Sequence, residues 1–216
     1  MITTKDLSCL PDRERLKNFC KGLAALDIIM IENEWAFIRH YTYKPSWRKD
    51  KEAFFATDGS EQSMIVIFAP EGCIINGVDS ELYDWEEKLP RIEDLTVGMP
   101  PALLKLMGCR EIKKMKSTFC VWTEDGSNWC CNPIDSEDAS KDLLSQIDGN
   151  PQTYVEYGKW YPADLPLDVV CQLANGIPVT KEMIVALNPK RSEWEEIKAE
   201  LDEIGCPASS FVYQDE

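Results

Sequence analysis

Apolar and polar positions alternate along this chain with two periods, and the change between them divides it into zones. From residue 11 to 26, Leu16, Phe19, Cys20 and Leu23 recur at i, i+3, i+4 and i+7, the spacing of one helical face, with Pro11 placed for a helix start. Short apolar runs follow at 35–43, 53–57, 63–68 and 73–78. Turn-forming residues separate them: Asp58-Gly59 marks one tight hairpin and Pro70-Glu71-Gly72 another. A further hairpin is expected about Asp125-Gly126. A two-residue turn there sets Trp122 opposite Trp129 and Cys120 opposite Cys131 on one buried face.

Beyond residue 136 the pattern is helical. Ser136 is positioned to cap a helix through Ile147, and Asn150-Pro151 to start one carrying Tyr154, Tyr157 and Tyr161 on one stripe. Asp164 and Thr180 are positioned to cap helices over 165–174 and 181–187. The last helix is the best marked, with a capping box at Ser192-Glu193-Trp194-Glu195, a stripe of Trp194, Ile197, Leu201 and Ile204, and a stop at Gly205-Cys206-Pro207. The stretch 83–106 has weak periodicity, with room for a helix over 101–107.

The fold class these patterns predict is α+β. An N-terminal helix precedes an antiparallel meander of five or six strands, and a bundle of short C-terminal helices packs on the sheet. A single domain over 1–208 is expected, sheet-rich over 28–132 and helical over 136–205, with 209–216 a tail. No low-complexity linker interrupts it, and a sheet needs a helical layer to bury its apolar face.

Charge changes the picture next. The 216 residues hold 38 Asp and Glu against 23 Lys and Arg, a formal charge of −15, and one histidine, His40. Such a surface repels phosphate backbones and anionic headgroups, so neither DNA nor RNA is expected as a direct ligand. No apolar stretch is long enough to span a membrane, so no membrane association is expected. The nine cysteines are odd in number and irregularly spaced, and the N-terminal residues carry no apolar leader. Free thiols in a reducing cytoplasm are the expectation.

Catalytic and cofactor signatures are absent from the sequence. It contains no Gly-x-Gly, no nucleophile elbow, no calcium loop and too little imidazole for His-ligand metalloenzymes, so no cofactor or metal is expected. The three cysteines Cys120, Cys130 and Cys131 do not have zinc-site spacing. One enzymatic alternative stays open, a hydrolase or transferase using His40 with a thiol, or a carboxylate pair. On a 35–43 strand, His40 shares a face with Ala36, Ile38 and Thr42, which suits a structural histidine.

Two charged clusters remain. Residues 1–55 carry ten Lys and Arg against eight Asp and Glu, and Arg39, Lys44 and Arg48, interleaved with Tyr41, Tyr43 and Trp47, form a candidate anion site. Arg110, Lys113, Lys114 and Lys116 read as guards of a sheet edge. The acidic cluster comprises Asp79, Glu81, Asp84, Glu86 and Glu87, with Tyr83 and Trp85 among them. An aromatic anchor within a carboxylate rim is the composition of an interface for a basic protein. The expected function is therefore non-enzymatic binding of a basic protein partner, as an inhibitor or immunity-type protein. In general cast the chain resembles bacterial immunity or antidote proteins that neutralise basic toxins, a likeness of type that no defined motif carries. A third reading is a structural, self-associating domain with the Tyr154–Tyr161 stripe at its interface; the sequence leaves oligomeric state open.

Overall fold

The computed structural model describes residues 2–82, 89–134, 138, 140–157, 164–206 and 208–209. The first helix, α1 (Arg13–Met30), is capped by Asp12, whose carboxylate accepts from the amides of Glu14 and Arg15 at 3.0 Å. Pro11, read from sequence as the start, lies outside the helix, and its carbonyl accepts the Trp129 indole N–H at 2.8 Å. Every residue from Gly22 to Ile29 is buried. A helical segment buried all round needs partners on all sides, and this second half of α1 lies between the sheet and the C-terminal helices.

Six strands follow: β1 (Tyr41–Arg48), β2 (Lys51–Thr57), β3 (Gln62–Ala69), β4 (Gly72–Asp79), β5 (Phe119–Thr123) and β6 (Cys130–Cys131). They pair in chain order and always antiparallel, which is the expected meander. Pro70 and Glu71 form the two-residue turn between β3 and β4. The Asp58 turn spans four residues, held by the Asp58 carboxylate accepting from the Ser60 and Gln62 amides.

The Asp125 turn is longer than expected, and the register changes with it. Asp125 accepts from the amides of Ser127 and Asn128, both at 2.8 Å, so the aspartate wraps an Asx loop instead of a tight hairpin. Val121 then pairs with Cys131 and Trp122 with Cys130. Trp122 faces one core while Trp129 packs against the other, so the expected Trp122–Trp129 and Cys120–Cys131 pairs do not form.

Both faces of the sheet are covered. Tyr43, Phe54, Val66, Ile75 and Phe119 face α1 and the C-terminal helices, whereas Ile65, Ile67, Ile74, Cys120 and Trp122 face a second layer. That layer is built from α2 (Ile92–Leu95), α3 (Pro101–Met107) and α4 (Arg110–Lys114). Burial on two sides is why all of β4 is buried and why residues 64–69 read as one unbroken apolar run. The basic residues expected to guard a sheet edge lie on α4 and just after it.

The C-terminal helices are α5 (Ser140–Ser145), α6 (Pro151–Tyr157), α7 (Leu167–Ala174), α8 (Lys181–Leu187) and α9 (Trp194–Glu203). Thr180 caps α8 as expected, accepting from the Met183 amide. Other caps differ from expectation. Ser136 lies outside the described residues; at the start of α5 the Asp138 carboxylate accepts from the Ser140 amide at 3.0 Å. Pro166, not Asp164, precedes α7, and Glu193 turns back onto the Ser192 amide instead of closing a capping box on α9. Gly205, at φ +68°, ends α9 in the left-handed conformation that a side chain would strain. Among the described residues no helix is long and apolar enough to cross a membrane.

Candidate protein-binding surface

The last carbonyls of α1 have no basic residue of their own turn to satisfy them. Side chains from elsewhere do so. Arg191 donates to Ile28 O at 3.1 Å, Asn188 to Ile29 O and Met30 O at 3.4 Å, and Arg39 to Ile31 O at 2.7 Å. Arg39 also pairs with Glu200 of α9, through Nη1 to Oε2 and through Nη2 to Oε1 at 3.2 Å. The chain between α1 and β1 is thus pinned at both ends, by continuity with α1 and by Arg39.

What is pinned is a 3-10 turn, Asn33–Ile38, where sequence alternation suggested a strand. None of its side chains is buried; Trp35, Phe37 and Ile38 are 51%, 77% and 52% exposed. The Trp35 and Phe37 rings lie 5.8 Å apart, and the Trp35 indole donates to Glu34 at 2.9 Å. Three large apolar side chains exposed within four residues make a patch, unlike the scattered exposed apolar residues of an ordinary surface. Glu32 and Glu34 are exposed beside it. On α9 the exposed Glu196 and Glu203 lie one turn to either side of Glu200 on the same helical face. The aromatic turn thus carries two carboxylates of its own, and the Arg39–Glu200 pair ties it to the acidic helix α9.

The sequence-derived candidates fare differently. Asp79 is buried at the end of β4, where it accepts from Gln62 Nε2 at 2.8 Å and from the Glu81 amide at 2.9 Å. Its role is to hold the strand end, and it is unavailable to a partner. Glu81 is exposed, and Tyr83, Asp84, Trp85, Glu86 and Glu87 lie outside the described residues. Arg39, Lys44 and Arg48 do not converge on an anion site. Arg39 is committed to Glu200, Arg48 pairs with Glu111 at 2.9 Å while stacking on Trp47, and Lys44 sits 5.3 Å from the Phe55 ring. The concavity of about 640 Å3 beside Lys44 and Arg48 also holds Glu111 and Glu203, whose negative charges oppose anion binding.

His40 precedes β1 instead of lying within a strand, and its Nδ1 is 2.9 Å from Thr57 O. All nine cysteines are free. Burial pushes the Cys20, Cys73 and Cys120 thiols well above their ordinary values and Cys131 up to about 11, so these sulfurs stay protonated at neutral pH and are poor nucleophiles. Among the described residues no group of three His, Cys, Asp or Glu is placed to hold a metal. Tyr154, expected on an aromatic self-interface, is buried and packs edge-on against Tyr41; Tyr161 lies outside the described residues.

No protein-family model matches the chain, and neither a curated protein nor a solved structure is significantly similar to it. Sequence reasoning missed the aromatic turn because Trp35 and Phe37 alternate as strand residues do. The available signal was the polar lead Glu32-Asn33-Glu34, which favours a turn over a strand.

Proposed function

We propose that this protein is a non-enzymatic binding domain that docks a basic protein partner, in the manner of an inhibitor or immunity protein, in a reducing cytoplasmic setting. The observation that carries the reading is the joint exposure of Trp35, Phe37 and Ile38 beside Glu32 and Glu34, on a turn that Arg39 ties to Glu200 of the acidic helix α9, in a chain of charge −15. Interfaces concentrate binding energy in a few aromatic side chains, and surrounding carboxylates speed encounter with a cationic surface.

The test is quantitative. The partner is captured from native lysate at low salt, identified, purified and titrated against wild type and the Trp35→Ala/Phe37→Ala variant. Loss of one aromatic hot spot costs about 2 kcal/mol or more, so the double variant should bind at least about 100-fold more weakly. Wild-type affinity should fall steeply between low and physiological salt, because surface charge is screened over about 8 Å at 0.15 M. An affinity indifferent both to salt and to the double substitution refutes the proposal.

A further inference from the structure

A cavity of about 700 Å3 lies away from the aromatic turn, among α2, α3, α4 and the segment leading into β5. Its volume falls within the range of about 300–1,000 Å3 typical of small-molecule sites. Ile92, Leu104, Met107 and Ile112 supply apolar wall, and Leu104 is 46% exposed at its rim. The polar wall is sparse and of uneven charge: Lys113 and Lys116 against Glu93.

Two features separate this cavity from a packing defect. Ser117 lines it, is 93% buried by residue, and its Oγ has no hydrogen-bond partner among the described residues. A buried hydroxyl left in that state is destabilising unless something in the cavity accepts a hydrogen bond from it. Next to it, Lys116 holds a left-handed backbone conformation, φ +48°, which non-glycine residues rarely adopt. Lys113 and Lys116 are exposed and form no ion pair among the described residues. Two lysines without ion pairs and a buried, unpartnered hydroxyl therefore line a chamber whose other polar residues are Glu93 and Thr96.

We infer that this cavity is a binding site for an apolar monocarboxylate, its body against Ile92, Leu104, Met107 and Ile112 and its carboxylate received by Lys113, Lys116 and the Ser117 hydroxyl. Charge sets the class of ligand. A cation would meet two lysines, whereas a neutral molecule would leave both ammonium groups without a counterion. A dianion would exceed the single net positive charge that Glu93 leaves, on a protein already at −15. The site shares no residue with the aromatic turn, so it stands or falls independently of the protein-docking function.

The experiment uses the full chain and three ten-carbon probes below their aggregation limits, decanoate, 1-decanol and decylamine, followed by isothermal titration. Decanoate should bind at one site at least about tenfold more tightly than decanol, and decylamine should not bind measurably. Lys113→Ala/Lys116→Ala, at exposed positions, should abolish the preference of decanoate over decanol; Ser117→Ala should weaken decanoate several-fold. Leu104→Glu, at the exposed rim, should remove binding of both. Equal affinity for decanoate and decanol, no saturable binding, or decanoate affinity unchanged by the double lysine substitution would overturn the assignment.

Discussion

Gly22, in the middle of α1, is where the packing of the helices can be tested most directly. Alanine there would place its Cβ 2.7 Å from Leu173 O, 2.8 Å from Leu173 C and 2.9 Å from the Ala174 amide nitrogen. These atoms are the backbone of α7, so no side-chain rotation relieves the contact. α7 must move outward by about 0.7–1 Å to reach ordinary van der Waals separation. It is held by Val169, Val170 and Leu173, all buried in the main core, so displacement also loosens their contacts. Such overpacking costs about 1–3 kcal/mol. Against it stands the helix propensity of alanine over glycine, a gain of about 0.8–1.0 kcal/mol in a helix interior. The difference is about 0–2 kcal/mol in favour of the steric effect, so Gly22→Ala should destabilise the protein by about 1 kcal/mol. In urea, with a slope of roughly 3 kcal/mol/M for a chain of this size, the midpoint should drop by about 0.3 M. Asn18→Ala, at an exposed site of the same helix, measures propensity alone and should be stabilising by about 0.5 kcal/mol. If Gly22→Ala raises the midpoint as Asn18→Ala does, the backbones of α1 and α7 are not in contact and the packing described here is wrong.

Three further outcomes are expected. Arg39→Ala removes the partner of a largely buried carboxylate and a donor to the end of α1, and should cost about 2–3 kcal/mol by urea denaturation; an effect below about 0.5 kcal/mol would mean that the pair does not anchor the aromatic turn. Burial raises the pKa of Glu52, but hydrogen bonds from Lys17 and Tyr43 and the charges of Lys17 and Lys21 outweigh it and hold the carboxyl below its ordinary value. Its contribution to stability is then complete above about pH 4.5 and lost as pH falls through the depressed folded value, so Glu52→Gln should flatten the acid limb of a stability–pH profile; an identical slope refutes this. Finally, a thiol reagent at pH 8 should modify Cys9 and Cys130 rapidly in the native protein and all nine cysteines in denaturant, with Cys20, Cys73 and Cys120 protected until unfolding; rapid native labelling of any of these three contradicts their burial.

Local pattern determined much of this protein. The apolar run through 64–69, the Pro70-Glu71 turn, the Pro101 helix start, the Thr180 cap and the Gly205 stop are each encoded within a few residues, and with the other short apolar runs and their turns they point to the α+β class and the meander. Tertiary structure decided what those elements bury and what they leave in water. Trp35 and Phe37 have the same alternation as Phe54 and Ala56, yet one pair is exposed and the other buried, because β2 has strands on both sides while the turn is held out by Arg39 and Glu200, 161 residues apart. Asp79 belongs to an acidic run in sequence, but it is buried where Gln62 meets it across β3 and β4. The monocarboxylate chamber likewise exists only once α2, α3 and α4 cover the second face of the sheet. Hydrophobic periodicity records that a residue can be buried; burial itself, ion pairing and cavity shape arise between segments distant in the chain, and depend on which of them meet.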